Sequence, residues 1–266
     1  MNLGNICENT IDLVKKTGLF ISSERKTFSI NLVEVKGLHN FVSYVDKTAE
    51  RMLVEGLMKI LPDAGFLAEE GTGKLKEDGL NWVIDPLDGT TNFIHGLSPF
   101  AISVGLMENN EIILGVVYEI SLDECFYAYH NSGSFLNGTA IRVSQADRIS
   151  DSLIATGFPY YAYDRIKPFF KTMEYFMENS HGLRRLGSAA TDLAYVACGR
   201  FEAFYEYSLS PWDVTAGALI VRQAGGVVTD FSGENNYIFG KEIIATNGKI
   251  FPEFQGIINR IMNEKK

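Results

Sequence analysis

The sequence predicts a mixed α/β fold, on three observations. Between residues 46 and 84 a segment with helical spacing of its apolar residues is followed by two short apolar, β-rich runs. Residues 100–130 then carry strand-like runs separated by hairpin-type turns. Beyond Arg148 strands and helices alternate.

In order, residues 3–17 set Leu3, Ile6, Cys7 and Val14 at helical spacing, with Gly18 positioned to end the helix. Residues 27–45 alternate and are rich in β-formers. They predict a strand, a mobile loop broken at Gly37, and a second strand or extended segment. From Asp46 the period changes: Ala49, Met52, Leu53, Leu57, Ile60 and Leu61 form one helical face. Asp46 stands at its start, where a carboxylate caps free N–H groups. Pro62 and Gly65 end that helix, and Phe66-Leu67-Ala68 is a short strand running into Glu69-Glu70-Gly71. The Gly-Thr-Gly-Lys that follows is no phosphate loop, because Ala68 and Leu75 stand where such a loop needs glycine and a hydroxyl. Trp82-Val83-Ile84 reads as a buried strand. It is expected to stop at Asp85-Pro86, since proline has no N–H and restrains the residue before it.

Strands follow at 100–107, 111–119 and 124–130, with turns at Asn109-Asn110 and Asn137-Gly138. Residues 152–156 are a strand, and 164–178 a helix whose Phe169, Phe170, Met173, Phe176 and Met177 suit a core or a subunit interface. Leu183–Leu186 leads into Gly187-Ser188-Ala189-Ala190 and a small-residue helix closed by Gly199. Residues 201–207 form a strand bearing Glu206. Pro211-Trp212-Asp213 opens a helix that runs through Val214–Ala224 to Gly225-Gly226. A strand at 243–245 and a helix at 251–262, with Pro252 in its first turn, complete the order.

Composition sets the bounds. The 266 residues suffice for one large domain or two packed lobes. With 46% hydrophobic and 21% charged residues, the chain is that of a globular protein. No apolar run is long enough for a membrane span, and the first residues do not read as a signal peptide. Cys7, Cys125 and Cys198 have neither metal nor disulfide spacing, which predicts reduced thiols in a cytoplasmic protein. A net charge of −9, with scattered basic residues and Arg184-Arg185 as a lone pair, argues against nucleic acid as a partner.

The chemistry gathers on residues 82–96. Asp85 and Asp88 flank a proline turn at the end of an apolar strand, and Gly89-Thr90-Thr91 offers N–H groups and hydroxyls beside them. A helix opening at Thr90 or Thr91 would add further free N–H groups for an anion. Elsewhere Glu69 ends a strand and Asp213 opens a helix. An all-oxygen set of this kind suits a hard cation. His95 reads as a packed or capping residue.

The stretch Asp85-Pro86-Leu87-Asp88-Gly89-Thr90-Thr91-Asn92-Phe93 resembles the first signature of the inositol monophosphatase family. Glu69-Glu70 is similar to its Gly-Glu-Glu element, with Ala68 replacing the glycine. Pro211-Trp212-Asp213-Val214-Thr215-Ala216-Gly217-Ala218, ending at Gly225-Gly226, resembles the second signature. The resemblance covers almost the whole chain. It implies a layered αβαβα fold as one catalytic unit of two lobes, residues 1–148 and 149–266. It further implies two to three Mg²⁺ ions held by Glu69, Asp85, the Leu87 carbonyl, Asp88 and Asp213. Asp46 and Thr90, with Glu69, are implied to activate water, and Gly89 and Thr90 N–H groups to hold phosphate. Lys36 resembles a family lysine near the third metal.

For the substrate beyond phosphate, the resemblance implies a polyol pocket of Asp88, Gly187-Ser188-Ala189, Glu206 and Asp213. Gly157-Phe158-Pro159 departs from the pattern, lying where some relatives carry a serine near the ligand. The expected activity is Mg²⁺-dependent, lithium-sensitive hydrolysis of an inositol monophosphate by a homodimer. Histidinol-phosphate phosphatase, fructose-1,6-bisphosphatase and 3′-phosphoadenosine nucleotidase are the enzymatic alternatives. A partner in a transcription complex is the non-enzymatic one.

Overall fold

The computed structural model describes residues 1–28, 33–37, 40–159 and 162–263, and within 33–42 the backbone alone. It opens with α1 (Leu3–Thr27), the strands β1 (Val33–Gly37) and β2 (Asn40–Ser43), α2 (Tyr44–Ile60), β3 (Gly65–Ala68) and β4 (Leu80–Asp88). Next come α3 (Thr90–His95), β5 (Ala101–Glu108), β6 (Glu111–Glu119), β7 (Glu124–Tyr129), β8 (Ser134–Leu136) and β9 (Thr139–Ile141). The second half holds β10 (Leu153–Thr156), α4 (Ile166–Asn179), β11 (Gly182–Arg184), α5 (Ala189–Ala197) and β12 (Ala203–Tyr207). It ends with α6 (Pro211–Gln223), β13 (Val227–Thr229), β14 (Glu242–Thr246) and α7 (Phe251–Met262).

Two mixed sheets organise the molecule. One runs β3-β4-β5-β6-β7-β8-β9, antiparallel except for the parallel β3/β4 edge. The other runs β11-β10-β12-β14-β13, with β10 parallel to both its neighbours. Side-chain alternation along β4 shows how the first sheet is covered on both faces. Trp82 and Ile84 enter a core with Val14 and Ile21 of α1 and Leu53 and Leu57 of α2, whereas Val83 faces the core containing α5 and α6. Phe204 and Ala245 of the second sheet join that same central core. Its other face meets Phe169 and Phe176 of α4 and Phe254 and Ile258 of α7. The layers are therefore αβαβα, as the resemblance implies.

The central layer lies close to the first sheet because small residues make room. Gly105 and Gly115 are directly paired across β5 and β6. A Cβ on Gly105 would lie 3.2 Å from Thr215 Cβ, and one on Gly115 would lie 3.0 Å from Ala216 Cα. Ser103 Oγ donates to the Trp212 carbonyl at 3.1 Å. This approach brings the N-terminal turn of α6, with Asp213, to the end of β4. A large side chain at position 105 or 115 would push the helix off the sheet.

Two sequence expectations are corrected. Gly18 does not end the first helix: α1 continues to Thr27. A side chain there would overlap the Tyr118 ring, so the glycine serves close packing. An interior glycine costs a helix about 1 kcal/mol. Burying Val14 and Ile21 on either side of it outweighs that, at about 1.5–3 kcal/mol each. Nor does Pro86 stop the strand. β4 runs to Asp88, and its register with β5 shifts between Asp85 and Asp88, so the proline sits in a bulge where it owes the ladder no N–H. The strand–loop–strand expected over 27–45 is β1 and β2, paired antiparallel. The loop residues 38–39 and the Lys36 side chain lie outside the described residues.

Candidate active site

The register shift at the end of β4 sets Asp85, Leu87 and Asp88 side by side at the start of the turn into α3. Asp85 is buried, and its Oδ1 accepts the Leu87 N–H at 2.9 Å. Gly89 follows with φ 89°, a left-handed conformation that suits glycine. A Cβ there would also lie 3.0 Å from the Pro99 carbonyl and 3.2 Å from that of Gly187. The chain can thus reverse into α3 and present Thr90. Asn92, buried in α3, donates through Nδ2 to the carbonyls of Pro99 and Leu186, both at 2.8 Å. That clamp fixes the Gly187-Ser188 segment beside Gly89.

Asp46 and Asp213 arrive by the same device. Each is the third residue of its helix and binds back to the residue before the helix. Asp46 Oδ2 accepts the Ser43 N–H at 2.9 Å and the Ser43 hydroxyl at 2.6 Å. Asp213 Oδ2 accepts the Ser210 N–H at 2.6 Å. The capping role read for Asp46 is real, yet it uses one oxygen; Oδ1 accepts the Thr90 hydroxyl at 3.1 Å. Thr90 Oγ1 also lies 2.9 Å from the Leu87 carbonyl, and its single proton serves one acceptor at a time.

Asp88 is held from the second half of the chain. Its Oδ2 accepts the Ser188 hydroxyl and the Ala190 N–H, both at 2.7 Å. Ser188 caps α5 and is buried with its hydroxyl committed to Asp88, and Ala189 is buried as well. Of the Gly187-Ser188-Ala189 corner, the Ser188 and Ala189 side chains are therefore turned into the protein. Glu206 on β12 is buried, with Asp213, Arg185 and Asp88 as its charged neighbours.

The electrostatics follow from crowding. Asp85 is driven well above the usual carboxylate range by burial first, then by the charges of Glu69, Asp88 and Asp213. Asp213 is pushed up to about 7 by its enclosure and by Asp88. Asp88 rises to about 6 through desolvation. Hydrogen bonds from Ser188, Ala190 and Gly89, and the Arg185 guanidinium, hold it back. Asp46 is raised by burial, against the lowering effect of Ser43 and Thr90. Asp88 and Asp213 are half-buried rather than sealed, so solvent still reaches them. Among the described residues the acids are near neighbours and do not form a closed metal cage. Their chemistry, anionic oxygen without imidazole or thiolate, fits a hard divalent cation.

Sequence reasoning passed over two residues here. Arg185, read as half of a lone basic pair, reaches toward Asp88, Asp192 and Glu206 and stacks on Phe158 at 5.4 Å. Asp192 is buried in α5, driven well above the carboxylate range by burial and by Glu206 and Asp88, and its Oδ1 has no hydrogen-bond partner among the described residues. A carboxylate within the otherwise small and apolar run Ala189–Ala197 was the available signal. His95 is exposed at the end of α3.

Comparison with known proteins agrees with this arrangement. The model of the inositol monophosphatase family matches residues 3–264. A Thermotoga maritima protein named fructose-1,6-bisphosphatase/inositol-1-monophosphatase is 41% identical over 234 residues, 88% of each chain. Nus factor SuhB of Escherichia coli is 39% identical over 238 residues, 89% of each chain. The crystal structure of the extragenic suppressor protein suhB from Bartonella henselae superposes with a TM-score of 0.90 at 36% identity, covering 100% of both chains. With the fold, the acid-bearing turns and the match along the chain all in agreement, this protein belongs to the inositol monophosphatase family of phosphatases.

Proposed function

We propose that the protein is a Mg²⁺-dependent phosphomonoesterase that hydrolyses an inositol monophosphate to inositol and phosphate. The observation that carries this reading is the meeting of Asp85, Asp88, Asp213 and Glu69 with the Thr90–Asp46 pair. Glu69, Asp85, the Leu87 carbonyl, Asp88 and Asp213 would hold the ions. Bound there, Mg²⁺ would offset the phosphate charge and make the attacking water more acidic. The Thr90 hydroxyl accepts that water's proton while passing its own to Asp46 Oδ1. The water oxygen thus forms the new P–O bond as the ester P–O bond breaks, and the departing oxygen takes up a proton from solvent water to leave as the inositol hydroxyl. Asp46 suits the task, since burial makes it a stronger base than an exposed aspartate. N–H groups at Gly89 and Thr90 contact phosphate oxygens. Asp88, Glu206 and the 187–189 backbone meet the hydroxyls of the polyol.

A second substrate reading has one observation in its favour, the bisphosphatase name of the Thermotoga maritima relative. The charge beyond the acid turn weighs against it. Glu206 and Asp192 share Arg185 there, a balance that suits neutral hydroxyls better than a second phosphate. The non-enzymatic alternative, a partner in a transcription complex, would need a nucleic-acid surface that a chain of net charge −9 does not advertise.

The test is phosphate release by the purified protein, with and without Mg²⁺, over a panel of esters. Myo-inositol 1-phosphate should give the highest kcat/KM, ahead of histidinol phosphate, 3′-phosphoadenosine 5′-phosphate and fructose 1,6-bisphosphate, and lithium should inhibit. Another winner would remove the inositol assignment and leave the phosphatase. Full turnover in excess chelator would remove the metal reading itself. A cytoplasmic homodimer completes the proposal.

A further inference from the structure

The helix that delivers Asp46 carries a second buried acid one turn later. Glu50 has no exposure and lies on the apolar stripe of α2, between Ala49 and Leu53. Its two oxygens reach across to the loop after β3. Oε2 accepts the Glu70 N–H at 2.7 Å, and Oε1 accepts the Thr72 N–H at 2.8 Å. On its other side the same loop is tied to β4, because the Glu69 N–H donates to the Ile84 carbonyl at 3.2 Å. Glu69 thus stands between two anchors. One adjoins Asp85, and the other lies a helical turn from Asp46.

We propose that Glu50 is a positioning residue for Glu69: through the N–H groups of Glu70 and Thr72 it holds the Glu69 carboxylate at the metal-binding cleft. The inference rests on Glu69 being a ligand, as proposed above. The chemistry of Glu50 favours it over simple packing. Apart from Asp46, its neighbours on that stripe are apolar, and a leucine there would fill space without the cost of burying a carboxylate. A carboxylate can, however, grip two main-chain N–H groups at once with charge-assisted bonds. Because Asp46 and Glu50 are four residues apart on one face of one helix, α2 also fixes the distance between the Thr90 hydroxyl and Glu69.

Glu50→Gln tests this, since glutamine fills the space but must turn an NH₂ group toward one of the two N–H groups. Mg²⁺ binding is measured by titration calorimetry and by the Mg²⁺ dependence of Tm, beside turnover. The variant should bind Mg²⁺ about 10–100-fold more weakly and need correspondingly more for half-maximal activity, with KM for the ester unchanged at saturating Mg²⁺. Leu57→Ala, on the same helix face, controls for general loss of stability: it should lower Tm without weakening Mg²⁺ binding. Wild-type Mg²⁺ affinity in Glu50→Gln, or equal weakening in Leu57→Ala, would overturn the positioning role. Failure of the wild-type protein to bind Mg²⁺ would overturn the metal reading, and this inference with it.

Discussion

Gly157 and Glu206 share one space: a methyl group built on Gly157 would coincide with the carboxyl group of Glu206. Glu206 lies on β12, which pairs in parallel with β10, and Gly157 directly follows β10. The carboxylate can fold across the end of its neighbouring strand only because no side chain stands there. The departure from the family pattern at Gly157-Phe158-Pro159 is therefore occupied, by an acid from the next strand.

Gly157→Ala should displace Glu206 from the cleft. The expected result is a KM for the inositol ester raised by about tenfold, the loss of roughly 1.4 kcal/mol of hydrogen bonding to a charged group. KM for p-nitrophenyl phosphate, which has no hydroxyls to bind, should be unchanged. Glu206→Gln should follow the same pattern. Equal effects on both esters would mean that Glu206 does not meet the polyol.

Thr90→Ala removes the link between water and Asp46 while leaving the cap of α2 intact, since Ser43 binds the other Asp46 oxygen. The catalytic rate should fall by about 10²–10⁴, with Mg²⁺ affinity and Tm little changed. Thr90→Ser should recover most of the rate. Normal turnover in the alanine variant would leave Thr90 with no part in the chemistry.

Much of this was legible in the sequence, and the misses share a cause. The short α3 was read only conditionally, as a helix opening at Thr90 or Thr91, but apolar patterning found the longer helices and the strands that carry acids, because it is local information. It failed where a long-range contact decides. Gly18 read as a helix end because the Tyr118 ring that needs its space lies a hundred residues away. Pro86 read as a stop because the bulge that accommodates it exists only against β5. β13, three residues long, carried too few positions to show a period. The acids at helix starts were visible as caps, but which oxygen stays free is a matter of geometry. Glu50 and Asp192 gave the quieter signal of a carboxylate on a buried face.

Assembly can be tested by light scattering. Around residues 158–185 the surface keeps Phe158, Tyr163, Phe170 and Met177 exposed, while Phe169 and Phe176 of the same helix fill the core. Phe170 and Met177, seven residues apart on the exposed side of α4, suit a two-fold contact. A dimer is expected at micromolar concentration, and Phe170→Glu with Met177→Lys should yield a folded monomer. A wild-type monomer would contradict the expectation.

The acid cluster should make the metal-free protein less stable at neutral pH than in mild acid. Asp88 at about 6, Asp213 at about 7 and Asp85 above the usual range all bind protons more tightly when folded than when unfolded. For a carboxylate raised in this way, folding costs free energy above the folded pKa, and the cost is relieved as pH falls through it. Between pH 8 and pH 5.5 the Tm without metal should therefore rise by at least about 2–4 °C, the shift expected from about 1 kcal/mol in a chain near this size. Mg²⁺ should stabilise more at pH 8 than at pH 5.5, since it competes with those protons. The same repulsion gives a sharper test. Asp85→Asn removes a buried acid whose ionised form Glu69, Asp88 and Asp213 all oppose, so the metal-free variant should melt higher than wild type at pH 8 while losing activity and most of its Mg²⁺ response. A variant that loses activity but melts lower without metal would show that Asp85 is held in place by attraction, and the account of the cleft as a set of mutually repelling acids would be wrong.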